Sequence, residues 1–252
     1  MHDEAKHALS KVPAVTLAFW IVKIAATTLG ETGGDAVSMS MNLGYLVGTA
    51  IFAVIFLAAV LVQIFAKQFH PGIYWTTIVA TTTVGTTLAD FADRSLGIGY
   101  TGGTSLLLGL LLLSLFVWHR ATGSIAVDTV RTPRTEIFYW VTIMFSQTLG
   151  TALGDWTADT AGLGYLGGAG VFTALLAVVA LLYFKTGISR PILFWAAFIL
   201  TRPLGAVLGD FLDKPITHGG LAISRYTASF VLIGLMVILV RVFPQKAAQK
   251  SH

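Results

Sequence analysis

Cysteine is missing from the whole 252-residue chain, which removes disulfides, thiolate metal ligands and cysteine nucleophiles together. Charge is scarce as well. Asp, Glu, Lys and Arg make up 11% of the residues, against roughly 25% in soluble domains. What stands in their place is apolar: 55% of residues are hydrophobic and the mean hydropathy is +0.79. A soluble domain is excluded by this composition, and the formal net charge of +4 is too thinly spread to read as a nucleic-acid footprint.

Apolar runs of about 20 residues, long enough to cross a hydrocarbon core of about 30 Å, recur along the chain. They predict an all-α integral membrane protein with eight transmembrane helices, at about 13–38, 44–66, 72–94, 100–118, 136–159, 165–184, 190–212 and 221–243. Pro13 suits a first helical position, and no small-residue cleavage pattern follows it, so the first span is expected to be retained. Most basic residues, among them Lys67, Arg120, Arg131, Lys185, Arg190 and Arg241, fall on one side of this arrangement, while Arg94, Lys214 and Arg225 fall on the other. The positive-inside rule then places both termini in the cytoplasm.

Repetition organises the chain. An offset of 120 residues relates Asp35 to Asp155, Asp90 to Asp210, Trp20 to Trp140, Trp75 to Trp195 and Gly44-Tyr45 to Gly164-Tyr165. A second offset, 55, relates Trp20 to Trp75 and Asp35 to Asp90, and again Trp140 to Trp195 and Asp155 to Asp210. Two duplicated halves, each itself a duplication, give four helical hairpins in one orientation. The predicted divisions are a cytoplasmic tail 1–12, a first half 13–118, a cytoplasmic linker 119–135, a second half 136–243 and a cytoplasmic tail 244–252.

The few acids are concentrated. Eight of the twelve carboxylates lie in four copies of Gly-x-x-x-[Gly/Ala]-Asp: Gly30–Asp35, Gly85–Asp90, Gly150–Asp155 and Gly205–Asp210, each with a second acid, Glu31, Asp93, Asp159 or Asp213. Each Trp precedes its Asp by 15 residues, about 22 Å of helix. With the tryptophans at the inner interface, Asp35, Asp90, Asp155 and Asp210 fall in the outer part of the membrane, and Asp93, Asp159 and Asp213 at its outer boundary. Ionisable groups so deep are costly and point to function. The small-xxx-small pairs before them permit close helix approach. A carboxylate near a helix C-terminus also opposes the macrodipole and calls for a cation, a proton or a basic partner.

Basic residues within the spans are few. Lys23 and Arg202 lie about two turns below the acids and could serve as internal counter-charges, while Arg94 beside Asp93 and Lys214 beside Asp213 read as boundary salt bridges. Ser38, Asn42 and Gln147 are auxiliary oxygen ligands by position. Thr27, Thr28, Thr82, Thr83 and Thr148 are more ordinary, since threonines inside helices bond their own backbone. Arg202 and Gln147 occupy the place of Thr27 in the fourth and third repeats, which predicts an asymmetric site.

The segments ATTLGETGGDAVSMSMNLGY (26–45) and QTLGTALGDWTADTAGLGY (147–165) resemble the four-fold repeat of unknown function that defines a family of bacterial membrane-anchored proteins. That resemblance covers nearly the whole chain and implies the bacterial inner membrane. Glu31-Thr-Gly-Gly-Asp35 also resembles, with one inserted residue, the Glu-x-Gly-Asp motif of calcium and manganese cation exchangers.

The reading that follows is a secondary transporter of a hard divalent cation. Oxygen ligands favour magnesium, calcium or manganese, and the exchanger resemblance favours manganese. Asp35, Asp90, Asp155 and Asp210 would bind the ion and Glu31 would carry protons, which compete for the same oxygens. The implied partners are the lipid bilayer and a small inorganic cation, with no nucleic acid and no resident cofactor. A homodimer is compatible with the sequence. A cation channel with an acidic outer mouth and a non-transporting structural membrane protein are the alternatives. An intramembrane aspartyl protease would need Gly-x-Gly-Asp, and Thr32, Thr87, Ala152 and Val207 stand where its first glycine belongs.

Overall fold

The computed structural model describes residues 10–249. Among them are eight long helices and no strand: α1 Leu17–Asp35, α2 Gly44–Phe65, α3 Pro71–Asp90, α4 Gly99–Thr122, α5 Pro133–Asp155, α6 Gly164–Lys185, α7 Arg190–Asp213 and α8 Arg225–Val242. Local chemistry sets their starts. Thr16 accepts a hydrogen bond from the Phe19 amide to begin α1, four residues later than Pro13 suggested. Pro71 and Pro133 occupy the first turns of α3 and α5, behind His70 and a Thr132–Thr135 capping box. The linker is shorter than expected, because α4 runs on to Thr122 and stops at Gly123, whose φ of 78° is left-handed.

The odd-numbered helices form a closed inner ring in which α1 packs on α3 and α7, and α5 packs on α3 and α7. Each even-numbered helix lies outside. It packs on the first helix of the next repeat, so that α2 covers α3, α4 covers α5, α6 covers α7 and α8 returns to cover α1. Every repeat therefore completes its neighbour, and no gap divides the ring into two halves.

This layering explains the hydropathy. The outer helices bury only a few small or interior positions, such as Gly48 in α2, Leu111 in α4, Phe172 in α6 and Leu232 in α8, and turn Leu, Val, Ile and Phe outward. A continuous apolar outer surface of this kind suits lipid. By length and composition α2, α4, α6, α7 and α8 qualify as membrane spans. The helices α1, α3 and α5 do not, because enclosure by their neighbours lets them carry buried threonines, acids and Lys23.

The inner helices run parallel, and the repeat offsets sort their buried side chains into layers one turn apart. The first is Phe19, Tyr74, Tyr139 and Phe194; then come Lys23, Ile78, Ile143 and Phe198; Thr27, Thr82, Gln147 and Arg202; Glu31, Thr86, Thr151 and Ala206; and finally the four aspartates. The glycines make these layers possible. Gly30 lies against Thr82, Gly85 against Gln147, Gly150 against Arg202 and Gly205 against Thr27, each admitting a side chain of the next repeat.

The tryptophans do not form an interfacial ring. Trp75, Trp140 and Trp195 are buried and pack with Phe19, Tyr74, Tyr139, Phe194 and Trp118 into an aromatic plug across the N-terminal ends of the odd-numbered helices. Tyr74 and Tyr139 share a hydroxyl hydrogen bond of 2.7 Å within it. Apolar rings find more burial between four converging helices than at a lipid surface. Both ends of the described chain meet beside the plug: Ala14 N–H donates to Lys246 O (2.7 Å), Ala248 N–H to Val12 O (2.8 Å) and Lys11 N–H to Val130 O (3.2 Å). The Lys11 ammonium pairs with Glu136 at 2.8 Å and caps the Ile64 carbonyl at the end of α2.

A methyl group at Gly85 would sit 3.0 Å from the Gln147 carbonyl carbon and the Thr148 nitrogen, both backbone atoms that cannot yield without moving α5. Gly85→Ala is expected to destabilise the protein by about 1–3 kcal/mol. Gly109→Ala and Gly170→Ala, where nothing lies within 4 Å, should be neutral or stabilising by up to about 1 kcal/mol. Thermal unfolding of the purified variants in detergent measures the contrast, and equal effects at all three sites would refute the close-packing account.

Candidate functional site

The acids gather where the inner helices end. Three of the four aspartates are each followed by one π-helical turn: Ala36–Ser40 after Asp35, Phe91–Ser95 after Asp90 and Trp156–Thr160 after Asp155. Such wide turns are frequent at functional sites. The fourth repeat differs. Its helix stays α-helical to Asp213, and Lys214 leaves it in extended conformation.

Two turns below the aspartates, Arg202 is fully enclosed. Its two terminal nitrogens donate to Glu31 Oε2 at 3.0 Å each, and one of them donates also to Thr86 Oγ1 at 2.6 Å and to Thr151 Oγ1. Arg202 and Glu31 are therefore partners. Lys23 is not paired in this way. Among the described residues it reaches only Thr201 Oγ1 at 3.4 Å and the Phe198 ring, 4.0 Å from its centroid.

The aspartates form two pairs, each bridged by a base four residues beyond one member. Arg94 joins Asp90 (2.9 Å) to Asp155 (3.2 Å), and Lys214 joins Asp210 (3.1 Å) to Asp35. Arg225, at the start of α8, lies 3.2 Å from Asp213 and 3.7 Å from Asp35. The two pairs are unlike. Arg94 donates to the Tyr45 hydroxyl at 3.4 Å and lies near the faces of Tyr45 and Tyr100, 6.0 and 5.8 Å from their centroids. The Lys214 pair instead has a third acid beside it: Glu31, Asp35 and Asp210 each offer an oxygen within 4.8 Å of the others, and all three are buried. Glu31 reaches this position because Gly209, just before Asp210, has no side chain to keep it away.

Family comparison agrees with this four-fold construction. The model described as Repeat of Unknown Function (DUF347) matches four times, at residues 18–69, 73–124, 138–189 and 193–243. The chain belongs to that family. Each match holds one inner and one outer helix. No curated protein and no solved structure matches the chain.

Several expected ligands lie elsewhere. Asp35 stands with Asp210 and Glu31, while Asp90 and Asp155 are held by Arg94, so the four aspartates are divided between two places. Arg94 bonds Asp90 and Asp155 and not Asp93, and Lys214 bonds Asp210 and Asp35 and not Asp213, because an i,i+4 spacing shares a helix face and adjacent residues diverge. Asp93 is buried against Gly103, with no hydrogen-bond partner for either oxygen among the described residues. Asp213 pairs with Arg225, and Asp159 is exposed. Ser38 donates to the Gly34 carbonyl at 2.8 Å, as do most of the threonines to their own helices. Asn42 is exposed at φ 55°, in the turn before α2. Gln147 is buried a layer too deep to touch the aspartates, with both amide atoms lacking partners among the described residues.

Arg94, Lys214 and Arg225 are thus the site residues that neighbour-by-neighbour reading misses. The i,i+4 spacing was available for the first two. Nothing in the sequence announces the third, which crosses a loop.

Removing one member of the Glu31–Arg202 pair leaves the other charge buried and uncompensated. Glu31→Ala is expected to cost about 3–5 kcal/mol. Glu31→Met/Arg202→Leu should regain most of that loss, because no buried charge remains. Denaturation of the three proteins in detergent checks this, and a double variant no more stable than Glu31→Ala would show that the pair does not act as a unit.

Proposed function

We propose that this protein is a carrier of a small inorganic cation, crossing a bacterial inner membrane eight times with both termini in the cytoplasm, and exchanging the ion for protons at Glu31, Asp35 and Asp210. The observation that carries this reading is the convergence of those three buried carboxylates within 4.8 Å of one another. Oxygen-only donors suit a hard ion such as magnesium, calcium or manganese. The resemblance of Glu31–Asp35 to the exchanger motif favours manganese.

Three further features support it. Four parallel inner helices direct the negative ends of their dipoles toward the acids, adding to the local demand for positive charge. Helices of 19 to 24 residues, such as α1 and α7, are about 28–36 Å long, so the inner helices match the membrane even where their composition does not. They are shielded from lipid by the outer helices, which removes the cost of their polar residues. Below the site the layers are filled by Arg202, by Lys23 and by the aromatic plug, an arrangement suited to a carrier closed at its inner side rather than to an open channel. No catalytic role is assigned to any residue.

A second reading is favoured by the ion pairs themselves. Arg94, Lys214, Arg225 and Arg202 engage the acids, as they would in a purely structural membrane protein whose charges set helix register. Flux separates the two. In proteoliposomes carrying a divalent-sensitive dye and a pH dye, the wild type should move manganese against protons, and Asp35→Asn/Asp210→Asn should abolish both signals. Absence of manganese, magnesium and calcium flux in a correctly folded wild type would leave the structural reading.

A further inference from the structure

The seat of three acids is not equivalent to the other aspartate pair, and the difference lies in the base that fills it. The position four residues after each aspartate is Met39 in the first repeat, Arg94 in the second, Asp159 in the third and Lys214 in the fourth. Arg94 is pinned: its planar fork spans Asp90 and Asp155, and two tyrosine rings lie near it. Lys214 has no such support. Its ammonium is a point charge on a flexible stem, its backbone has already left α7, and it bonds Asp35 Oδ2 and lies 3.1 Å from Asp210 Oδ1, two of the three acids of the seat.

The seat also keeps ligand capacity that lysine does not use. Asp35 is fully buried, yet its Oδ1 has no hydrogen-bond partner among the described residues. A buried carboxylate oxygen without a donor is costly, and a multivalent ion that takes several oxygens at once uses it where a single ammonium does not.

We propose that Lys214 is a tethered cation, which fills the Glu31–Asp35–Asp210 seat while no ion is bound and is displaced from it by the ion. This rests on the carrier reading above and adds its regulation. The ammonium keeps the acids compensated when the carrier is empty, and it makes the apparent affinity for the ion lower than the seat's own. The side chain is placed to leave: it is about 12% exposed, against 1% for Asp35 and 4% for Asp210, and it stems from the loop at the outer end of α7.

Removing the competitor should tighten ion binding. If lysine occupies the seat about nine-tenths of the time, the apparent dissociation constant of the wild type is about tenfold above the intrinsic one. Calorimetric titration of the full-length purified protein with manganese chloride should therefore show Lys214→Met binding about tenfold more tightly than the wild type, and Lys214→Arg no more tightly. Wild-type binding with unchanged affinity in Lys214→Met would overturn the proposal and leave the carrier reading standing. No binding of manganese, magnesium or calcium by either protein would overturn both.

A measurement on the wild type alone covers the case in which the variant does not fold. Labelling with an amine-reactive reagent, read by mass spectrometry, should increase several-fold at Lys214 when manganese saturates the protein, while the exposed Lys67 and Lys185 stay constant. Unchanged labelling of Lys214 at saturating manganese would show that the ion does not displace it.

Discussion

Each inner helix meets the next at a residue with no side chain, and the polar interior exists only because of that contact. A carboxylate or guanidinium between helices must be screened from lipid on every side, which demands backbones closer than ordinary side chains allow. Gly30, Gly85, Gly150 and Gly205 supply the room, and Thr82, Gln147, Arg202 and Thr27 fill it. Arg202 shows the consequence most clearly. Its stem lies across Gly150, and from there its head reaches Glu31 on one neighbour, Thr151 on the other and Thr86 across the ring. The glycine stripe and the buried ion pair are one construction.

The outer helices close that construction by a displacement of one repeat. Because α2 covers α3 and α8 covers α1, a hairpin taken alone would expose its acids, and the ring is complete only when all four repeats are joined. The two ends of the described chain are held together beside the aromatic plug by backbone hydrogen bonds, which fixes that end of the ring. The opposite end is built differently. Three wide turns and one loop follow the aspartates there, and only the loop carries a flexible base into the interior.

The offsets of 55 and 120 made the ring legible in outline, since they name the residues that share a layer, from Phe19 and its equivalents up to Asp35 and its equivalents. Equivalence is not adjacency, however. Nothing in the arithmetic says whether Asp35 touches Asp155 or Asp210, and in a four-membered ring the 120-residue partners lie diagonally. The tryptophans differ from an interfacial belt for a related reason: an amphipathic ring suits the lipid interface, but Trp75, Trp140 and Trp195 find burial against the Phe and Tyr side chains around them. By hydropathy the four outer helices and α7 qualify as membrane spans and α1, α3 and α5 do not, because the polar side chains of those three are enclosed by their neighbours. Adjacency in sequence pairs the bases with Asp93 and Asp213, but the turn of the helix brings Arg94 to Asp90 and Lys214 to Asp210.

The repeats are alike at some layers and unlike at others, and the differences bear on what the acids are for. The scaffold is four-fold: glycine contacts, aspartates and outer helices recur in every repeat. The bridging bases are two-fold, present after Asp90 and Asp210 alone. Glu31 and Arg202 occur once each, and they face one another at the junction of α1 and α7. A role in helix register suits the aspartates, which recur in all four repeats, but not Glu31, whose equivalents are Thr86, Thr151 and Ala206. What the chain carries instead is one junction with three carboxylates and a flexible lysine, opposite another with two carboxylates and a pinned arginine. The proposed carrier needs a single seat for a single ion, and a four-fold ring can offer one only by making its repeats unlike.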